Sequence, residues 1–507
     1  MVYATTSLLL ALTALFLYII QKQSRRNHRS QQRGCQPPAK LYSYDPFFGL
    51  DVTLLTSMDI PSLSRHHEKL GKTFEVNALL GLSEVCTAET ENIRVVNTAG
   101  KVWGIEPFRL PGMEYLCGRG FLTTDGEMWN HSRKLLKPTF SKTNIVDLSP
   151  LSKELDKLLE TIPANGSVID LQPALSNMVS SNQKSPLHFV TIDPVLATSM
   201  DFLLGVLPSD ETHEAPHTPS VFIASFHDAI FRTMFRVLLG RLWALVPKAI
   251  YLKNCKISHE FIDFYVGKAL ESQASTDKYD EEDLDAAPRQ SMVRSLAAQT
   301  DDRVHIRSQI IQGMLASGET ISALLGNTLL VLSRHPKYWE QVRAEALRGG
   351  SDLFQFDALR NSLRLYPVFP VLARVALSDT TLPTGGGKNQ DLPIFVPKGS
   401  TVVMSYYTLH RDTSIFGSNV ETFRPERWDE IHPEQWEFLP FGGGLRACMA
   451  QNKVLVEAAY VLIRLAARFE VLESGDEVPW KGQLMLTCKS ANGCKVSLRK
   501  RGGTAPL

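Results

Sequence analysis

A mainly α fold with a minor β component, carried behind an N-terminal transmembrane anchor, is what the 507-residue sequence predicts. Three observations lead there. Helical periodicity outweighs short strand-like runs, one long apolar-periodic stretch lies in the middle of the chain, and the first twenty residues carry no charged side chain.

The anchor comes first. Residues 8–20 read LLLALTALFLYII, and about 20 helical residues at ~1.5 Å each span a hydrocarbon core of roughly 30 Å. Lys22, Arg25, Arg26, Arg29 and Arg33 follow without an acid among them, which favours a cytoplasmic C-terminal side. A cleaved secretory signal would carry its basic residues before the apolar stretch and a small-residue site after it, so a retained anchor fits better. Gln36-Pro37-Pro38 then reads as a stiff hinge. The expected division is an anchor over 1–21, a basic, proline-containing linker over 22–40 and one large body over 41–507.

In the body, helical punctuation dominates over 126–140, 222–245, 304–335 and 448–469. The third run is the longest: Ile306, Ile310, Ile311, Met314, Leu315, Ile321, Leu324, Leu325 and Leu329 recur at helical spacing until Pro336. A helix apolar on most faces belongs at the centre of a large fold. Strand-like pieces such as 74–78 and 401–404 are shorter, and the acidic, turn-rich 272–288 reads as a surface loop. The 54 basic against 53 acidic residues leave a charge of +1 and argue against nucleic acid as a partner. Seven scattered cysteines do not resemble a disulfide framework.

One of those cysteines sits in a chemical setting. Phe441-Gly442-Gly443-Gly444-Leu445-Arg446-Ala447-Cys448 directly precedes a helical run. Glycines let a backbone approach a flat cofactor, Arg446 can neutralise a propionate, and a helix N-terminus favours a thiolate at Cys448. A thiolate axial ligand to haem iron favours O–O cleavage. A lone cysteine before a helix is more often a small buried hydrophobe, so the neighbouring motifs decide.

The segment resembles the haem-binding signature of the cytochrome P450 superfamily, Phe-x-x-Gly-x-Arg-x-Cys-x-Gly, through Phe441, Gly444, Arg446 and Cys448, with Ala450 at the last position. Other motifs stand in register with it: Trp129-x-x-x-Arg133, Leu363-Arg364-Leu365-Tyr366-Pro367, Arg374, His410-Arg411-Asp412 and Phe423-Arg424-Pro425-Glu426-Arg427-Trp428. The resemblance implies the P450 fold, with haem b between the long central helix and the cysteine loop and Cys448 as axial ligand. It places Trp129, Arg133, Arg374, Phe441 and Arg446 around the cofactor and gives Arg364 and Arg427 structural roles. Since no flavin or nicotinamide domain is visible, it implies electrons from NADPH through NADPH-cytochrome P450 reductase, with cytochrome b5 as a further partner. The Leu-Arg-Leu-Tyr-Pro, Thr-Leu-Pro-Thr-Gly-Gly-Gly and Phe-Arg-Pro-Glu-Arg-Trp stretches look most like fungal microsomal members that hydroxylate alkanes and fatty acids, relatives of which tailor secondary metabolites. The implied location is the endoplasmic reticulum membrane, single-pass, with the catalytic body cytoplasmic.

Ala316-Ser317-Gly318-Glu319-Thr320-Ile321 lies within the apolar run. A carboxylate and hydroxyl in such a helix are costly unless they serve something. The element resembles the family's acid–alcohol pair, which implies a local distortion of the helix and assigns Glu319 and Thr320 to proton delivery during oxygen activation. The bland alternative is Thr320 bonded to its own backbone and Glu319 in an ion pair. Substrate walls are expected from 107–116, Met314, Leu315, 368–372 and 484–486, where plain core packing is the competing account.

The sequence departs from the family at Asn361, where an acid should stand one helical turn before Arg364. Removing one member of a buried ion pair typically costs about 3–5 kcal/mol, and Arg364 and Arg427 are left to share a neutral amide. Glu345 and Arg348 have the spacing without the following motif. Only 28 positions separate Pro336 from Arg364, and 176–192 looks inserted. The alternative function is therefore a haem-binding but catalytically impaired remnant, or the product of an imperfect gene model. His213-x-x-x-His217 is interrupted by Pro216 and makes a poor zinc site. Gly385-Gly386-Gly387 reads as a turn. Lys134, Lys137, Arg446 and Lys453 could receive an acidic redox partner, or be a solvated basic surface.

Overall fold

Residues 303–333 form one unbroken helix, capped by Asp302, whose carboxylate accepts the His305 N–H at 2.9 Å, and ended before Pro336. It is the central element of the expected mainly α fold. The computed structural model describes residues 2–45, 49–77, 84–175, 194–206, 214–239, 247–275, 290–349 and 354–500. Among them, Arg303–Ser333 is also the helix that is long and apolar enough to cross a membrane, but 78% of its apolar window is buried, as suits a core helix.

The other helical runs appear with shifted ends. Gly126–Leu136 gives way to a 3₁₀ turn over Lys137–Phe140 at Pro138, Pro219–Leu238 starts from a Thr218 cap, and Gln451–Arg468 begins three residues after Cys448. The acidic loop starts later than expected, because Ala249–Ser275 stays helical to Ser275; 276–289 lies outside the described residues. The inserted-looking 176–192 lies there too.

The minor β component is a six-stranded sheet in the order Ala39–Tyr42, Thr73–Asn77, Glu84–Thr87, Thr401–Ser405, Val371–Ala376 and Trp103–Gly104. Its first and second strands are parallel, as are its third and fourth, and the remaining pairs are antiparallel. A three-stranded sheet and two hairpins complete it; in one hairpin Thr380–Gly386 pairs with Leu392–Val396, so the triple glycine closes a strand rather than making the whole turn.

The N-terminal helix runs over Val2–Gln32, through the apolar stretch and the basic run. Its basic residues meet the body: Arg26 pairs with Glu75 at 2.6 Å, Arg29 with Asp379 at 2.5 Å, and Arg33 donates to the Asp379 carbonyl at 3.2 Å. The Pro37-Pro38 segment is pinned rather than hinged. The Gln36 N–H donates to the Pro393 carbonyl at 2.9 Å, and the Pro37 carbonyl accepts from Gly387 at 3.1 Å. The strand at Ala39 follows at once, so sheet pairing overrides the mobility the composition suggested.

Two buried histidines make this body acid-sensitive. Burial pushes His67 down to about 4, and burial together with the Arg364 and Arg411 cations pushes His410 down to about 3. Both rings are neutral when folded, whereas an unfolded histidine takes up its proton near pH 6.5. Their contribution is therefore fully present above about pH 6.5 and declines as pH falls toward 4, by about 1.4 kcal/mol per unit for each ring. Urea unfolding at pH 7 and pH 5 is expected to show this loss, with His67→Gln recovering about 2 kcal/mol of it. Equal acid sensitivity in the variant would remove His67 from the account.

Candidate functional site

The cysteine loop is shaped by its glycines. A Cβ on Gly443 would lie 2.6 Å from the Trp436 ring, and one on Gly444, at φ +66°, would lie 2.3 Å from the Asn97 carbonyl oxygen. The loop closes through the Cys448 N–H, which donates to the Phe441 carbonyl at 3.0 Å. Protein surrounds Cys448, yet its thiol stays accessible. Burial raises the thiol pKa, opposed by the Ala450 backbone N–H and by Arg133. The helix terminus therefore does not ionise this thiol unaided; a bound metal ion would.

Beside the loop, guanidinium groups gather around one carboxylate. Arg446 pairs with Asp125 at 2.6 Å, donates to the Thr124 carbonyl at 2.6 Å, and lies 4.6 Å from the centre of the Trp129 ring. Arg133 donates to the Ala447 carbonyl at 3.2 Å and flanks the same ring at 5.7 Å. Arg374 is buried on its strand and donates to the Ala373 carbonyl at 2.9 Å. Sequence reasoning missed Arg109 and Asp125. Burial and then Arg374 and Arg446 bring Arg109 down to about 10, and burial brings Arg446 to about 10 against the pull of Asp125. Asp125 also accepts the Ile105 and Glu106 N–H groups at 2.9 and 2.8 Å, fixing the start of helix Glu106–Cys117. A cationic residue inside the apolar Pro107–Met113 stretch was the available signal for Arg109.

Four guanidiniums against one carboxylate, next to an accessible thiol, are a donor set that fits a haem with two propionates. On the central helix, Thr320 Oγ1 donates to the Ala316 and Ser317 carbonyls at 2.9 and 3.0 Å. Glu319 faces Lys489 at 3.2 Å, both side chains nearly buried. The helix is unbroken here, so the expected distortion is absent and the threonine bonds back along its own turn.

A family model described as Cytochrome P450 matches residues 105–493. The chain belongs to the cytochrome P450 family. It is 36% identical to cytochrome P450 monooxygenase fsdH of Fusarium heterosporum, over 96% of this chain and 86% of that protein. It is 34% identical to cytochrome P450 monooxygenase himC of Aspergillus japonicus, over 95% and 87%. It is also 30% identical to cytochrome P450 52-E3 of Starmerella bombicola, over 92% and 91%. These relatives bear out the expected fungal placement and make the chain a P450 monooxygenase, a class that uses haem held by a cysteine thiolate, a redox partner and a hydrophobic substrate.

As a P450, the chain is unusual at its buried arginines. Arg364 and Arg427 are almost fully buried, and neither forms an ion pair with a carboxylate among the described residues. Arg364 donates to the carbonyls of His410 and Thr422 at 3.1 and 3.2 Å and reaches Asn361 Oδ1 at 3.4 Å. Arg427 donates to Asn419 Oδ1 and its carbonyl, both at 2.8 Å. Burial, then Arg427 and Arg411, bring Arg364 down to about 9. Asn361 Nδ2, Arg364 Nε and Arg427 Nε find no acceptor among the described residues. Glu345 is buried elsewhere and accepts the Gln355 N–H at 3.1 Å, so it does not replace the missing acid.

Other expectations divide. Met113, Leu116, Met314 and Leu315 share one apolar cluster with Leu486 packed against it, whereas Val368, Leu372 and Leu484 pack in other clusters and Tyr115 is exposed. Lys134 and Lys137 are exposed, but Lys453 is buried against Glu457 and cannot receive a partner. His217 faces Glu260 at 2.8 Å, and His213 lies outside the described residues. Asn361→Glu is expected to give the paired guanidiniums their anion and raise stability by about 1.5–3 kcal/mol, read as a higher urea midpoint at unchanged slope. An unchanged or lowered midpoint would mean the carbonyl acceptors already suffice.

Proposed function

We infer that this P450 is a membrane-anchored monooxygenase that hydroxylates or otherwise oxidises an apolar chain, of the fatty-acid or alkane kind or a secondary-metabolite intermediate. The observation that carries the reading is the accessible Cys448 thiol beside the guanidinium cluster, with Met449 packed in the same apolar cluster as Met314 and Leu315 of the central helix. Haem b, when bound, supplies the oxygen-activating chemistry, with electrons delivered from NADPH by a reductase.

The residues of the chain have separate tasks. Cys448 would ligate the haem iron, Phe441 closes the loop that presents it, and Arg109, Arg133, Arg374 and Arg446 would hold the propionates, with Trp129 against Arg133 and Arg446. Glu319 carries protons from the hairpin side, and Thr320, whose hydroxyl proton rests on the Ala316 and Ser317 carbonyls, has an oxygen lone pair left to accept one. Met113, Leu116, Met314, Leu315 and Leu486 exclude water and favour an apolar substrate. A surface hollow lined by Arg94, Asn130, Arg133, Gln435, Trp436 and Leu445 adjoins the cysteine loop, and with Lys134 and Lys137 it suits an acidic reductase, with cytochrome b5 as a second donor. The uncharged first twenty residues and the basic run after them support a single-pass anchor over 1–21 in the endoplasmic reticulum membrane, with the body over 41–507 cytoplasmic.

Carbon-monoxide difference spectra of the reduced protein test the ligand assignment. The unmodified chain is expected to show the red-shifted Soret band of a thiolate-ligated haem and Cys448→Ala to lose it; loss of all Soret absorbance in both would remove the haem assignment. Thr320→Ala is expected to keep the band while diverting NADPH to hydrogen peroxide in place of oxidised fatty acid or alkane. Unchanged partition would take Thr320 out of proton delivery. A normal band without product across a fatty-acid, alkane and polyketide panel would favour the impaired, haem-binding reading.

A further inference from the structure

Lys489 lies 170 residues from Glu319 in sequence and 3.2 Å from it in space. It sits on strand Cys488–Ser490, which pairs with Gly482–Leu484 so that Lys489 stands opposite Gln483. The flanking Cys488 and Ser490 are buried on the other face of the strand, and this alternation turns Lys489 toward the central helix. The strand is tied down beside it: Asn327 donates to the Cys488 carbonyl at 3.2 Å, and the Cys488 N–H donates to the Val368 carbonyl at 2.9 Å. Asn327 is eight residues beyond Glu319, close to the same face of the helix. The ion pair is nearly closed to solvent, with 14% and 11% of the two side chains exposed, so little screening weakens it. Glu319 Oε1 has no aligned hydrogen bond among the described residues, so at that oxygen Lys489 acts by its charge.

We propose that Lys489 is a positioning residue for the proton-delivering acid, holding the Glu319 carboxylate on the hairpin side of the central helix. The proposal rests on the reading of Glu319 given above and adds its control. The same hairpin carries Leu486 into the apolar cluster of Met314 and Leu315, three residues before Lys489. Displacement of Leu486 by an apolar chain therefore moves the residue that holds the acid, and proton delivery is coupled to occupation of the substrate space.

The test uses the full-length holoprotein with Lys489→Gln, Lys489→Arg, Glu319→Gln and the Glu319→Gln/Lys489→Gln double variant, each first shown to give the thiolate carbon-monoxide spectrum. Two readouts are taken: amide hydrogen exchange across 482–490, which needs no turnover, and the solvent isotope effect on substrate-free NADPH oxidation with added reductase. Both single Gln variants are expected to speed exchange in the hairpin by about threefold or more and to change the isotope effect, with the double variant no different from either and Lys489→Arg close to the unmodified protein. Additive effects in the double variant, or faster exchange with an unchanged isotope effect in Lys489→Gln, would reduce Lys489 to a structural contact and overturn the proposal. Loss of the spectrum in Lys489→Gln moves the comparison to Lys489→Met, with the same outcomes. If Glu319→Gln leaves the isotope effect unchanged, the acid assignment itself fails; if it changes while Lys489→Gln does not, the control alone fails.

Discussion

The central helix is buried on nearly every side, so its longer polar side chains find partners in neighbouring elements, while Ser308, Thr320, Ser322, Thr328 and Ser333 bond back to carbonyls of the helix itself. Gln309 donates to Ser132 at 2.8 Å, Gln312 donates to the Cys117 carbonyl at 2.9 Å and accepts the Leu122 N–H at 2.7 Å, and Asn327 accepts from Trp480 at 3.1 Å. These bonds, with the Glu319–Lys489 pair, fix the helices that bear Arg109 and Arg133 and the hairpin that bears Leu486. An apolar cylinder alone could rotate or slide; polar demands at four levels along 303–333 do not permit it.

Fixing those helices also confines positive charge. Arg109, Arg133, Arg374 and Arg446 come from four elements, all but Arg133 act on Asp125, and burial together with their mutual repulsion is what lowers Arg109 and Arg446. The Arg364–Arg427 pair is a second cationic spot, with no ion-paired carboxylate among the described residues; Glu421 and Glu430 act on it only from farther off. The two differ in what relieves them. The first opens onto the accessible Cys448 thiol and suits a dianionic cofactor, while the second is closed and relies on main-chain carbonyls, which accept hydrogen bonds but carry no net charge. Asn361 thus bears on stability and leaves the composition of the cofactor site untouched.

What was legible in the sequence follows from the range of the forces involved. Cys448, its glycines and the periodic run over 303–333 are local patterns, and the structure places them nearly as read. Asp125 and Lys489 have no local pattern, and Arg109 only a charge in an apolar stretch, because the partners that matter lie far along the chain and only tertiary packing joins them: Asp125 meets Arg446 from 321 residues away, Lys489 meets Glu319 from 170, and Arg109 lies near Arg374 and Arg446, 265 and 337 residues on. The Pro37-Pro38 reading failed for the same reason. A diproline is stiff in isolation, but whether it hinges depends on the acceptors that Pro393 and Gly387 present from far downstream.

That pinning changes what the basic run does. On the proposed anchored reading, its charges act during insertion on an unfolded chain and set the side on which the body emerges. After folding, Arg26 and Arg29 are held by Glu75 and Asp379, and the Arg26–Glu75 pair is sheltered, with 21% and 4% of its side chains exposed. A surface ion pair contributes little, but a sheltered one continuous with the sheet at Ala39 resists bending. On that reading the same residues would serve orientation twice, first by sign and then by attachment, with one fixed face of the body toward the bilayer; independent of it, the attachment holds the helix Val2–Gln32 to the body.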